Sequence, residues 1–233
     1  MIPKIYAHRG ASADFPEHTR AAYLAAIEQG VDGFECDLRL TKDAVPILWH
    51  DSNLKRNAGL PGDVAGLTYS EIKREFKEVM TFTEILDIAI ANKKNLAIES
   101  KHPVPTGREI EKSTVTILKE RASEISKSGI DVSLMSFSWL AIESIKSEVN
   151  TVFLFNSFLS GPGRRFTSAN ALGPSIEKIK ANPEIIKEAR SSGKKLFVWT
   201  VDIPKDVEFC AQNEIDVVIT NKPAQARKVL GYP

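Results

Sequence analysis

Nine short apolar runs alternate with amphipathic stretches almost to the end of this 233-residue chain. The runs, at 5–7, 33–40, 45–49, 96–99, 132–136, 152–155, 171–173, 196–201 and 217–219, read as strands. Helical patterns separate most of them, at 20–29, 82–91, 109–127, 140–146, 183–191, 204–213 and 223–230. Thr19 is placed to cap the first of these helices and Gly30 to stop it. Pro183, Pro204 and Pro223 open three others, where a helix accepts proline. Strand–helix alternation of this kind predicts a parallel sheet covered by helices. One link breaks the pattern. Only four residues separate Leu40 from Val45, whereas a parallel crossover takes about a dozen or more, so 33–40 and 45–49 form an antiparallel hairpin. Setting 45–49 aside leaves eight strands, the number of an α/β TIM (β/α)8 barrel, with the extra hairpin strand following the second barrel strand. The length suits a single domain over 1–233.

Composition narrows the class. The net charge is +1 and basic residues are interleaved with acidic ones, which leaves no single-sign stripe for nucleic acid. The two cysteines, Cys36 and Cys210, sit in apolar segments without zinc-site spacing and read as small buried residues. The apolar stretch at residues 1–8 is too short for a signal peptide, and no run approaches the length of a membrane helix, so a cytoplasmic protein without stable membrane insertion is expected. Residues 52–67 (SNLKRNAGLPGDVAGL) lack periodicity and read as a long loop over the barrel mouth; 160–165 (SGPGRR) reads as a second.

The chemistry-bearing residues cluster at strand ends. His8-Arg9-Gly10 closes the first strand, Glu35 and Asp37 lie two apart on one face of the second, and Glu99 ends the fourth run with Lys101 two residues on. The hairpin returns His50-Asp51 to the carboxylates: a two-residue turn at Lys42-Asp43 sets His50 opposite Glu35, and a turn shifted by one sets it opposite Asp37. Active sites of such barrels form at the C-terminal ends of the strands, which gathers these groups in one pocket. Three carboxylates without a nearby cysteine favour one hard divalent ion, Mg²⁺ or Ca²⁺. Arg9 and Lys101 suit a phosphate, and two histidines can serve as acid and base. Trp199, expected to share a face with Phe197 and Val201, could pack an apolar or glycerol part of a ligand. His18, just before the first helix, is expected to be exposed, and His102, before Pro103, to lie in a loop near the mouth. The inventory suits metal-assisted phosphodiester cleavage.

In this order, HRG at 8–10, ECD at 35–37, HD at 50–51, ESK at 99–101, SF at 136–137, VWTV at 198–201 and TNKP at 220–223 resemble the glycerophosphodiester phosphodiesterase family. The resemblance implies a TIM barrel that hydrolyses glycerophosphodiesters to glycerol 3-phosphate and an alcohol. It further implies Glu35, Asp37 and Glu99 as metal ligands, His8 and His50 as the acid–base pair, Arg9 and Lys101 as phosphate contacts and Trp199 on the glycerol side. Two positions depart from the family pattern: His18 stands where an asparagine is usual in E-N-T, and Asp202 where one commonly follows W-T-V. A related phosphodiesterase of the lysophospholipase D kind, acting on lipid head groups, is the alternative; a non-catalytic barrel that binds phosphorylated ligands is the distant one.

Overall fold

The computed structural model describes residues 2–156 and 161–232. Nine strands run β1 Lys4–His8, β2 Gly33–Leu40, β3 Pro46–Leu48, β4 Asn95–Ser100, β5 Val132–Ser136, β6 Asn150–Phe155, β7 Ala171–Pro174, β8 Lys195–Val198 and β9 Val217–Thr220. Eight of them pair in parallel, and β1 closes the ring by bonding both β9 and β2. This is a TIM barrel, with β3 bonded outside the ring.

Side-chain alternation sorts the core into layers. Tyr6, Ala97, Met135, Val152, Leu154, Phe197 and Ile219 fill the barrel interior, while Phe34, Cys36, Leu38, Ile98 and Val198 face outward into the shell of helices. The strict period of two places Glu35 and Asp37 on the face opposite Phe34 and Cys36. Buried on both faces, these strands carry near-continuous apolar runs, and polar residues inside them stand out for that reason.

The hairpin differs in detail from both registers expected. Leu38 pairs with Leu48, Arg39 with Ile47 and Leu40 with Pro46, so His50 falls opposite Cys36, between the two alternatives. The cause is a three-residue loop, Lys42-Asp43-Ala44, with Ala44 at a φ of 60° and the Thr41 N–H donating to the Val45 carbonyl. β3 takes up the edge of β2 that β1 leaves: Glu35 O accepts from Arg9 N, and Asp37 O accepts from Trp49 N.

The segment 52–67 is more ordered than its sequence suggests. It holds a single helical turn, Lys55–Ala58, and a 3₁₀ turn, Val64–Gly66, followed by a helix, Tyr69–Glu75, that sequence periodicity missed. Thr68 and Glu71 form a capping box at the start of that helix. Leu54, Val64 and Ile72 join Ile47, Trp49 and Val79 in a small core of their own. The helix expected over 109–127 is two, Glu109–Glu120 and Ala122–Ser128, broken at Arg121. Of the loop expected at 160–165, residue 160 lies outside the described residues and the rest belongs to a helix, Gly161–Phe166. A further helix, Ile176–Ala181, also escaped the sequence pattern. β8 ends at Val198, so Val201 packs in the outer shell rather than on the face of Phe197. Among the described residues no helix is long and apolar enough to cross a membrane.

Candidate active site

Barrel closure brings the distant sequence clusters together. His8 pairs with Glu35 across β1 and β2, and Asp37 with Glu99 across β2 and β4. After His8 the chain turns sharply back, with Arg9 at φ 59° and Gly10 at φ 85°. Gly10 is required there twice over. Its backbone favours glycine, and a Cβ would lie 2.6 Å from the Ala22 Cβ, on the first helix, Arg20–Glu28.

A cavity of about 250 Å³ opens at this end of the barrel, lined by His8, Arg9, Glu35, His50, Glu99 and Lys101 on one side. Met135, Phe137, Leu154, Trp199 and Ile219 line it together with Asn156 and Thr200. Trp199 donates its indole N–H to Gly173 O at 2.8 Å and meets Phe137 edge to face at 5.4 Å. The sequence assigned no pocket role to Met135, Phe137, Leu154, Asn156 or Ile219. Their inward parity on β5, β6 and β9, carried one residue past the ends of β5 and β6 for Phe137 and Asn156, was the available signal.

Glu35, Asp37 and Glu99 each offer a carboxylate oxygen, all within 4.8 Å of one another, and all three residues are buried. Asp37 is the most heavily engaged. Its Oδ2 lies 2.9 Å from Arg9 Nε and 3.0 Å from His18 Nε2, and its Oδ1 lies 3.3 Å from Lys101 Nζ. Lys101 Nζ also contacts Glu99 Oε1 at 2.8 Å. Burial alone would raise the Asp37 pKa, but the His18 hydrogen bond and the Lys101 and Arg9 charges hold it well below the usual carboxylate range. Glu35 and Glu99 go the other way: burial and then the Asp37 charge raise Glu35 well above its ordinary value and push Glu99 up to about 7. Those raised values express a shortage of positive charge: with all three carboxylates ionised, Arg9 and Lys101 leave the cluster one positive charge short. An all-oxygen donor set with that deficit fits a hard divalent cation.

Burial and the adjacent Arg9 charge lower the His8 imidazole to about 4. Its Nδ1 donates to Asn221 Oδ1 at 2.7 Å, and its Nε2 lies 3.8 Å from Glu35 Oε2. His50 Nδ1 donates to Asp51 Oδ1 at 2.7 Å; burial lowers its pKa despite the opposing Asp37 charge and this hydrogen bond. Arg56, on the 55–58 turn, holds Asp51 Oδ2 at 2.6 Å and Glu17 Oε1 at 2.7 Å, and Glu17 in turn accepts from Arg9 Nη1 at 3.1 Å. The segment 52–67 is thereby tied to both histidine-bearing strand ends.

His18 is buried, not exposed as expected. A φ of 61° turns it inward, its Nε2 donates to Asp37, and its Nδ1 accepts from the Tyr23 hydroxyl at 2.9 Å. Sequence alone hid this because the residue precedes a helix in a polar stretch. His102 stays out of the cavity lining, its Nε2 bonded at 2.6 Å to Glu111 on the helix Glu109–Glu120.

Residues 8–225 match the glycerophosphoryl diester phosphodiesterase family. The chain belongs to that family. A glycerophosphodiester phosphodiesterase from Caldanaerobacter subterraneus subsp. tengcongensis is 30% identical over 238 residues, covering 96% of each chain. The crystal structure of a glycerophosphodiester phosphodiesterase from Thermotoga maritima superposes with a TM-score of 0.84 at 26% identity, over 97% of this chain and 98% of that one. A phosphodiesterase from Oleispira antarctica, solved with the product sn-glycerol-3-phosphate, has the same fold: TM-score 0.79 at 19% identity, over 99% of this chain and 97% of that one. The glycerophosphodiester phosphodiesterases are enzymes, and this family member presents its cavity at the barrel end where catalytic residues of such folds collect.

Proposed function

We propose that this phosphodiesterase hydrolyses small glycerophosphodiesters to glycerol 3-phosphate and an alcohol, using one divalent cation, Mg²⁺ or Ca²⁺. The observation that carries the proposal is the meeting of His8, His50 and the Glu35–Asp37–Glu99 cluster around one cavity. Glu35, Asp37 and Glu99 would hold the cation. When bound, it supplies Lewis acidity to a phosphate oxygen and lowers the pKa of a coordinated hydroxyl. With it, the cluster's net charge becomes positive by one, the complement of a phosphodiester monoanion. Arg9 and Lys101 orient the phosphate and offset the charge that builds on its oxygens. Trp199 and Phe137 give the glycerol or the alcohol a wall to pack against.

His8 and His50 move the protons. His8 is held neutral by burial and Arg9, with Nε2 free to take a proton from the attacking glycerol hydroxyl; the alcohol leaves, and water then opens the cyclic phosphate to glycerol 3-phosphate. His50, whose Nδ1 rests on Asp51, is the better placed to carry a proton and deliver it to the departing alcohol oxygen. The relative from Oleispira antarctica, solved with sn-glycerol-3-phosphate, supports the product.

The test is release of glycerol 3-phosphate from glycerophosphocholine by purified protein, with and without EDTA. Release that EDTA abolishes and added Mg²⁺ or Ca²⁺ restores is the expected result. No release with either metal would overturn the proposal. A second reading, cleavage of lysolipid head groups, is favoured by the apolar wall of the cavity and by Trp139 and Leu140, which stand exposed just beyond Phe137. Faster turnover of a lysolipid than of glycerophosphocholine would select it.

A further inference from the structure

Behind His8 lies a chain of hydrogen bonds with a fixed direction. Asp202 Oδ2 accepts from Asn221 Nδ2 at 2.6 Å, and Asp202 Oδ1 accepts from the Asn221 backbone N–H at 2.8 Å and from Thr220 Oγ1 at 3.0 Å. An ionised carboxylate can only accept. It therefore draws the amino end of the Asn221 side chain toward itself and turns Oδ1 outward. That oxygen lies 2.7 Å from His8 Nδ1 and 2.7 Å from Ser12 Oγ. A carbonyl oxygen can only accept as well, so His8 Nδ1 must carry the hydrogen. In the neutral ring Nε2 is then a bare lone pair, and its nearest acidic oxygen, Glu35 Oε2, stands 3.8 Å away, beyond hydrogen-bond reach.

We propose that Asp202 is a positioning residue for His8: by fixing which end of the Asn221 amide faces the imidazole, it fixes the ring's tautomer and keeps the Nε2 lone pair toward the cavity. The role rests on the proposed acid–base function of His8. Asp202 is not among the residues that line the cavity; it acts through Asn221. The direction of the chain, rather than its mere presence, is what matters. An amide at 202 could still accept from the backbone of residue 221, but it would present an NH₂ group to the Asn221 NH₂. Relief comes from flipping Asn221, which aims a donor at His8 Nδ1 and moves the ring hydrogen to Nε2.

The two residues can be exchanged to test this. Two-bond ¹H–¹⁵N correlation spectra of the metal-free protein, with only four histidines to assign, report each ring's tautomer. Wild type should show His8 protonated at Nδ1. D202N should shift His8 toward the Nε2–H form and lower kcat roughly 10–100-fold, the usual weight of a group that orients an imidazole, with KM little changed. The double exchange D202N/N221D puts a carboxylate against His8 and an amide behind it. It should restore both the Nδ1–H tautomer and most of kcat. An Nε2–H signal in wild type would overturn the proposal before any variant is made. So would D202N with an unchanged tautomer, or a switched tautomer with unchanged kcat. Should no form cleave glycerophosphocholine, the proposed substrate fails instead, and the spectra still decide whether Asp202 sets the tautomer.

Discussion

At the scale of single residues, His8 and His50 are alike in type and differ in partner. His8 leans on a neutral amide and His50 on a carboxylate. Replacing either with alanine should lower turnover by roughly 10²–10⁴-fold, the usual weight of an acid–base group. Substrate choice separates their roles. A p-nitrophenyl ester leaves without a proton, so it should recover much of the activity of His50→Ala and none of that of His8→Ala. Equal losses on both substrates would abolish the assignment, and rescue of His8→Ala in place of His50→Ala would reverse it. Asp37 carries a different burden. It is 0% exposed and meets Arg9, Lys101 and His18 at once. Asp37→Asn strips charge from three partners and should destabilise the metal-free protein by about 3–5 kcal/mol, the cost of breaking a buried ion pair. Urea unfolding at neutral pH reads this directly.

At the scale of elements, strand ends do the assembling, and the sequence revealed them unevenly. β2 was plain because apolar and acidic residues alternate along it, and the four-residue link to β3 excluded any parallel connection. The hairpin register was not legible. Its three-residue loop needs Ala44 at positive φ, and alanine gives no sign of that. The 52–67 stretch hid its order for another reason: turns of three or four residues are too short to show a period, and their stability comes from the shared core around Leu54, Val64 and Ile72. His18 was misplaced because its inward turn depends on Asp37, a partner on another element. That small core yields its own prediction. Leu54→Ala should raise amide exchange selectively between Pro46 and Met80 while barrel strands such as β5 stay protected, the mark of a locally cooperative unit. Gly10→Ala should act on the barrel itself. With its new methyl against Ala22 and φ at 85°, a loss of about 1–3 kcal/mol is expected in equilibrium unfolding.

At the scale of the whole molecule, the crowded carboxylates link stability to metal and pH. Glu99 has its folded-state pKa raised to about 7 from 4.5, and Glu35 is raised well above 4.5, so each binds a proton more tightly in the native than in the unfolded chain. Their contribution is favourable at low pH and is lost as pH rises through the folded values. His8, lowered to about 4 from 6.5, opposes this only below 6.5. Metal-free protein should therefore lose thermal stability as pH rises from 6.5 through about 7. Saturating Mg²⁺ or Ca²⁺ should reverse that slope and, at about 100-fold over its Kd, add about 2.7 kcal/mol. A scan of Tm against pH in the two states checks both signs.

Because β3 hangs on β2 outside the ring, the β2–β4 pairing leaves residues 52–75 beside the barrel on a small core of their own, while the helix Phe82–Ala91 returns to pack in the main core. The cross-strand line from Asp37 to Glu99 is set by the ring alone, whereas His50 and Asp51 stand at the root of that side branch, which Arg56 anchors to Asp51 and Glu17. The pocket is thus assembled from two separately stabilised parts: a closed ring that carries the carboxylates and His8, and a side branch whose anchorage sets where His50 stands.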